Sequence, residues 1–258
     1  MQLEQAEHGR FQNVSWVAST ASTNTDLVAA ARSAPGEPSV LFTDLQTAGR
    51  GRRNRSWDMP PARGLLVSFY VPWPSAAEAH VIPTSLGVAA VDAIADVGRD
   101  VGLKWPNDIV SMEDKKVGGM LSEVVSVDGV FVGVVAGLGC NVGWPDPHDV
   151  DLPQATNLDV IGDGMVDREG LARALIAAFD AELDRVQTRG SERVYERYRV
   201  RCRTIGTMVR VERGDHSVTG MATDVSSDGS LVMTVDGVQR RIDVGDVVHL
   251  RPVGGEAD

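Results

Sequence analysis

Two apolar, glycine-studded runs, KVGGMLSEVVSV (116–127) and VFVGVVAGLGCNV (130–142), are separated only by Asp128-Gly129. A two-residue Asp-Gly connection between such runs selects a tight β-hairpin, because both residues accept the positive φ that the turn requires. The hairpin dictates antiparallel pairing in whatever sheet contains it. VSWVAS (14–19), SVLFTDL (39–45), GLLVSFYV (64–71), VGLKW (101–105) and DIVSM (108–112) read as further strands. TNTDLVAAARSA (23–34), whose start fits a capping pattern, reads as a helix. So do residues 75–98 despite Pro83, which should break or start a segment, and residues 167–188 and 191–200. After about residue 204 the texture changes to apolar–polar alternation, with Asp-Gly turns at 228–229 and 236–237. Four or five short antiparallel strands of that kind make a small β-barrel. The expectation is a mixed α+β domain over 1–203 and an all-β module over 204–258.

Of 258 residues 43% are hydrophobic, enough for a sizeable core, and no run of 18 apolar residues predicts a membrane span. The start, MQLEQAEHGRFQ, lacks the basic and apolar regions of a secretory signal. Cys140 and Cys202 have no metal-like spacing, which fits a reduced, cytoplasmic compartment. The formal charge is −11 and the pI about 4.9, against the basic surface that general nucleic-acid binding uses.

Within this acidic chain, QTAGRGRRNRSW (46–57) gathers Arg50, Arg52, Arg53 and Arg55 around Gly49 and Gly51. Forked guanidinium donors match phosphates and carboxylates, and the glycines allow close backbone approach. Taken alone, the loop reads first as a solvated basic loop; a nucleic-acid grip calls for interleaved aromatics, and the loop holds only Trp57. LKWPNDIV (103–110) adds Lys104 beside a rigid Trp-Pro-Asn-Asp turn. A half-buried Lys104 needs an anionic partner, whereas an edge lysine faces water; Asn107 and Asp108 alone read as turn residues.

STN (22–24), QTAGRGRRNRSW, KWPND (104–108), KVGGMLSE (116–123) and GLGCNV (137–142) stand in the order and spacing of biotin protein ligases, which the chain resembles from about residue 14 to 251. The resemblance implies a domain like that of class II aminoacyl-tRNA synthetases, a mixed sheet with helices packed on it, followed by an SH3-like barrel. It implies a two-step reaction: biotin and ATP give biotinyl-5′-AMP and pyrophosphate, and a lysine of a biotin carboxyl carrier domain then takes the biotin. Mg²⁺ is expected with ATP, its protein ligands unknown. The chemistry suits the residues, since both reactants of the first step are anions and a closing loop would keep water from the adenylate.

Carried over, the biotin site falls on Ser22, Thr23, Asn24, Gln46, Gly49, Arg50, Gly51, Arg52, Lys104, Gly137 and Gly139. Lys104, Arg50 and Arg52 take the catalytic charge-neutralising roles. The ATP site falls on Arg52, Arg53, Arg55, Trp57, Lys104, Asn107, Lys116 and Asn141, with Trp57 stacking on adenine and Asn141 hydrogen-bonding it. One departure is Asn54, where the family has a glycine; asparagine also tolerates positive φ. About thirteen residues precede the first strand, so the form expected is the ligase without a DNA-binding winged helix, either monomeric or homodimeric. The rival within the same fold is a lipoate ligase or octanoyl transferase. The transferase would need a nucleophilic cysteine, and Cys140 lies in an apolar, glycine-flanked strand that suits an inert thiol better.

Overall fold

A computed structural model describes residues 9–145, 152–213, 216–243 and 246–249. The Asp-Gly hairpin forms as the sequence requires: β6 (Lys116–Val127) and β7 (Val130–Asn141) pair in register across Asp128 (φ 51°) and Gly129 (φ 80°). They anchor a seven-stranded sheet with β1 (Asn13–Val17), β2 (Ser39–Thr43), β3 (Gly64–Pro72), β4 (Val101–Lys104) and β5 (Asp108–Ser111). The order is β1-β2-β3-β7-β6-β5-β4, and only β1 and β2 run parallel.

The two-residue period of the strands sorts side chains between the faces. Leu65, Val67, Phe69 and Val71 of β3, with Val134, Ala136, Leu138 and Cys140 of β7, face the main core. There they meet α2 (Val81–Asp96) and α3 (Arg168–Arg189), while α4 (Glu192–Arg201) packs beside them. On the other face Tyr70, Val125 and Val135 pack with Leu27 and Ala31 of α1 (Thr23–Ser33).

Two local expectations change. The helix expected from residue 75 begins at Val81, so Pro83 lies in the first turn of α2, where a missing N–H costs nothing. In α1 the helix starts on time, but no side chain caps it at Ser22. Thr23 and Asn24 direct their polar atoms instead to Gln46, Ser68 and Glu123. By contrast α3 carries a regular cap: Asp167 accepts from the Glu169 N–H at 3.0 Å, and Gly190 (φ 85°) ends it.

The C-terminal strands β8 (Met208–Arg213), β9 (His216–Val225), β10 (Leu231–Val235), β11 (Val238–Ile242) and β12 (Asp246–His249) form an antiparallel sheet ordered β11-β10-β9-β8-β12. It is tied to the end of β4. The Trp105 N–H donates to Thr204 Oγ1 (3.0 Å), its indole N–H to the Gly229 carbonyl (2.8 Å), and the Arg203 N–H to the Leu103 carbonyl (2.8 Å). Among the described residues no helix is long and apolar enough to cross a membrane.

Candidate active site

On the α1 side of the sheet, β7 presents Gly137 and Gly139 and β6 presents Gly119, so the surface is hollow there. The glycines are required by close approach. A Cβ on Gly139 would lie 2.4 Å from Cε2 of Trp57, and one on Gly137 would lie 2.2 Å from Asn24 Oδ1. The hollow is the floor of a cavity of about 370 Å³. Its walls come from the arginine loop, α1, the ends of β4 and β6, and Glu212 and Val247 of the second sheet.

At one end runs a chain of buried hydrogen bonds. Gln46 Oε1 accepts from the Thr23 backbone N–H (3.0 Å) and hydroxyl (3.2 Å). The Ser68 hydroxyl lies 2.7 Å from Thr23 Oγ1 and 2.6 Å from Asn24 Oδ1. Asn24 Nδ2 donates to the Leu121 carbonyl (3.1 Å) and to Glu123 (3.0 Å), which also pairs with Arg50. Every member is oriented by its neighbour, so this end presents a fixed pattern of donors and acceptors to a polar ligand.

The other end is cationic. Lys104 closes β4 and lines the cavity, its side chain with no hydrogen-bond or ion-pair partner among the described residues. Lys116 Nζ pairs with Asp108 (2.6 Å) and lies 5.5 Å from the centroid of the Trp57 ring. Arg52 donates to Asn107 Oδ1 at 2.9 Å, and Asn107 is itself held by Met120 through Nδ2 (2.8 Å) and its carbonyl (2.9 Å). The arginine loop is folded into an arch: the Gly51 N–H donates to the Arg55 carbonyl (2.7 Å) and the Trp57 N–H to that of Gly49 (2.9 Å). Its tip turns through Arg53 (φ 55°) and Asn54 (φ 59°), and Arg53 reaches the Glu212 carbonyl at 3.1 Å. Asn54 thus adopts the left-handed conformation that asparagine tolerates and that glycine would take freely.

Of the residues singled out from the sequence, Thr23, Asn24, Gln46, Arg50, Gly51, Arg52, Arg55, Trp57, Lys104, Asn107, Lys116, Gly137 and Gly139 line this one cavity. Ser22, Gly49, Arg53 and Asn141 stand outside its lining. Ser22 caps α1 with its backbone, Gly49 lies against the Trp57 backbone, and Asn141 donates to the Thr156 carbonyl (2.9 Å). Sequence reasoning passed over Ser68 and Glu123. Ser68, the one polar residue inside GLLVSFYV, was the available signal. Cys140 faces the helices: it is 1% exposed, and burial pushes its thiol up to about 12, so at neutral pH it is an inert core group.

Residues 16–141 match the Biotin/lipoate A/B protein ligase family, and residues 204–250 match the Biotin protein ligase C terminal domain. The chain is 37% identical over 245 residues to the biotin–[acetyl-CoA-carboxylase] ligase of Mycobacterium tuberculosis, covering 91% of this chain and 88% of that one. It is 28% identical over 212 residues to a bifunctional ligase/repressor of Salmonella typhimurium, covering 77% of this chain and 62% of the relative. Its fold matches the biotin protein ligase from Aquifex aeolicus in complex with biotin and ATP, with a TM-score of 0.76 at 23% identity over 93% of this chain and all of that one. A glycine-floored cavity with one hydrogen-bonding end and one cationic end, on a chain so similar along nearly its whole length, places this protein among the biotin protein ligases of the biotin/lipoate A/B protein ligase family.

Proposed function

We propose that the chain activates biotin with ATP and transfers it to a lysine of a biotin carboxyl carrier domain. The observation that carries this reading is the polarity of the cavity: a fixed donor–acceptor chain at one end and Lys104, Lys116 and the arginine arch at the other. A cyclic urea head group suits the first end. The carboxylate at the far end of the ligand then reaches the cations, where the triphosphate also belongs.

In the first step a biotin carboxylate oxygen attacks the α-phosphorus, the bond to pyrophosphate breaks, and pyrophosphate leaves with the electron pair. Two anions meet, and charge grows on the equatorial oxygens of the phosphorus. Lys104 is assigned to hold that charge, with Arg52 from the arch; Arg50 joins them only by leaving its pair with Glu123, and Lys116 and Arg55 are assigned to the remaining phosphates. Trp57, packed closely against Gly139 and Gly119, is assigned to offer its ring to adenine. Asn141 has its amide N–H groups engaged by Thr156 and Lys116, which leaves its carbonyl oxygen for the adenine amino group. Thr23, Asn24, Gln46 and the Gly137 backbone hold the head group, with Gly51 in the wall; Ser22 supports this end by capping α1, Gly49 closes the arch by accepting from the Trp57 N–H, and Arg53 braces the arch against the second sheet.

Mg²⁺ fits as a companion of the nucleotide. Among the described residues no group of three carboxylates, histidines or cysteines could hold a metal, and Asp108 is already paired with Lys116. Substrate phosphates with water, and at most one or two protein carboxylates such as Asp108, would hold the ion. We read residues 1–203 as the catalytic domain and 204–258 as the companion module. An ATP-using enzyme with two free buried thiols belongs in the reducing cytoplasm.

The test is pyrophosphate exchange into ATP, measured with and without biotin, followed by the mass of a carrier domain incubated with enzyme, biotin and ATP. Exchange that requires biotin and a carrier heavier by one biotinyl group are expected. Biotin-independent exchange, or transfer of lipoate in its place, refutes the reading.

A further inference from the structure

β5 stops pairing with β6 at Asp108↔Gly119, so beyond that point β6 has no strand on this side and the sheet is notched. A second cavity of about 280 Å³ fills the notch. It shares Arg52, Pro106, Asn107, Met120 and Leu121 with the first cavity, and the Arg52–Asn107 hydrogen bond belongs to the common wall. Its outer lining is Pro83 and Thr84 of α2, Tyr198 of α4 and the exposed Ser122 of β6. The common wall directly follows Lys104 in the chain, where the first step is assigned to occur.

We infer that this notch is the access path of the acceptor lysine, which reaches the adenylate from the side of the sheet opposite to ATP. The inference rests on the ligase reading above. Three observations carry it. The notch shares a wall with the active cavity at Pro106 and Asn107, in the turn that follows Lys104 and Trp105. Its wall is shared between Arg52 of the arch, which donates to Asn107, and Pro106, Asn107, Met120 and Leu121 of the sheet, so that displacing the arch changes the wall. Its lining, among the described residues, includes no carboxylate and one cation, Arg52.

That lining suits the chemistry of the second step. A lysine ammonium, with an ordinary pKa near 10.4, must arrive neutral to act as a nucleophile. Desolvation disfavours the ammonium, so a narrow slot whose described lining mixes apolar and neutral polar residues, with no carboxylate to hold the cation, favours the neutral amine. The neutral nitrogen then bonds to the acyl carbon, the acyl–oxygen bond to the phosphate breaks, and AMP leaves with the electron pair. One proton goes to water on the way in, and a second when the amide forms.

Ser122→Phe fills the notch from an exposed position, which leaves the core untouched. Biotin-dependent pyrophosphate exchange should stay at the parental rate, whereas transfer to the carrier should fall roughly tenfold or more, the usual cost of losing attack geometry. A small amine, n-butylamine, separates access from docking, because it has no protein surface to dock. Its rate of biotinamide formation on the enzyme-bound adenylate should fall with that of the carrier. Ser122→Glu tests the charge argument: a carboxylate in the slot holds the ammonium, and the pH profile of transfer should move to higher pH. Undiminished butylamine trapping in Ser122→Phe, exchange lost in parallel with transfer, or an unmoved profile in Ser122→Glu would overturn the path. Exchange independent of biotin in the parent enzyme would instead sink the ligase reading itself.

Discussion

Adding one methyl group at Gly139 should separate nucleotide binding from folding. In Gly139→Ala the new Cβ lies 2.4 Å from Cε2 and 2.5 Å from Nε1 of Trp57. Ordinary contact begins at 3.4 Å, so the ring must withdraw by about 1 Å. Trp57 belongs to the arch, not to a strand or helix, and the arch is able to shift. The fold then loses little, and the substitution gains about 0.4–1 kcal/mol by restricting the unfolded chain. If Trp57 stacks on adenine as proposed, the site loses roughly 1–3 kcal/mol, or about 5- to 150-fold in affinity.

At Gly137 the outcome should reverse. There the Cβ meets Asn24 Oδ1 at 2.2 Å, and Asn24 is a buried helix residue held by Leu121, Glu123 and Ser68. Nothing there gives way cheaply, so Gly137→Ala should cost about 1–3 kcal/mol of stability. At about 2–4 °C per kcal/mol for a chain of this size, the melting temperature drops by roughly 2–12 °C. Thermal melts and pyrophosphate exchange titrated with ATP and with biotin read both quantities. Gly139→Ala should raise KM for ATP at an almost parental melting temperature. A parental KM for ATP in Gly139→Ala, or equal melting losses in the two variants, would refute the reasoning.

Four further outcomes follow from the same geometry. Lys104→Ala should cut biotin-dependent exchange by about 10²–10³, as loss of one donor to developing charge does elsewhere, with an unchanged circular dichroism spectrum; near-parental exchange refutes the role. Arg52→Gly opens the arch and should let biotinyl-AMP escape, so that serum albumin mixed with enzyme, biotin and ATP becomes biotinylated, whereas the parent leaves it unlabelled. Cys140→Ala should keep transfer activity, and folded enzyme at pH 8 should resist iodoacetamide at this thiol, because burial holds its pKa at about 12. His80 lies against Tyr195 OH at 2.5 Å, and burial lowers its pKa despite Asp228 and Glu78 nearby. Its unfolded form binds the proton more readily, so stability is full above about pH 6.5 and falls as the pH drops below it. Melting temperature measured from pH 5 to 7.5 should show this slope in the parent and a shallower one in His80→Gln.

The strands were legible because each pairs an apolar run with a turn signal, and Asp128-Gly129 fixed the central pair without ambiguity. The start of α2 was not, because a proline in the first helical turn and one that ends a segment look alike in a sequence. The capping pattern at Thr23–Asp26 misled for a physical reason: Thr23 and Asn24 have partners on β3 and β6 and in the arginine loop that compete for the same side-chain atoms. Glu123 and Ser68 escaped for the same cause. Their partners lie tens of residues away along the chain, and only strand register brings them together. The cations of the site could be named from the sequence, but that Arg50 spends its charge on Glu123, and Lys116 on Asp108, is a fact of three dimensions.

Trp105 carries a consequence for how this enzyme is regulated by its own architecture. The strand that ends in Lys104 continues into a residue whose backbone and indole N–H groups are both held by the C-terminal part of the chain, which also lends Glu212 and Val247 to the cavity. Ligand binding and seating of that part are therefore two faces of one equilibrium, and coupling between them is reciprocal. Whatever biotin and ATP gain from a seated module, the module gains in firmness from them, to the same factor. Saturating ligand should therefore slow any protease cleavage of the 202–207 connection, and a nicked or loosened connection should weaken both substrates together.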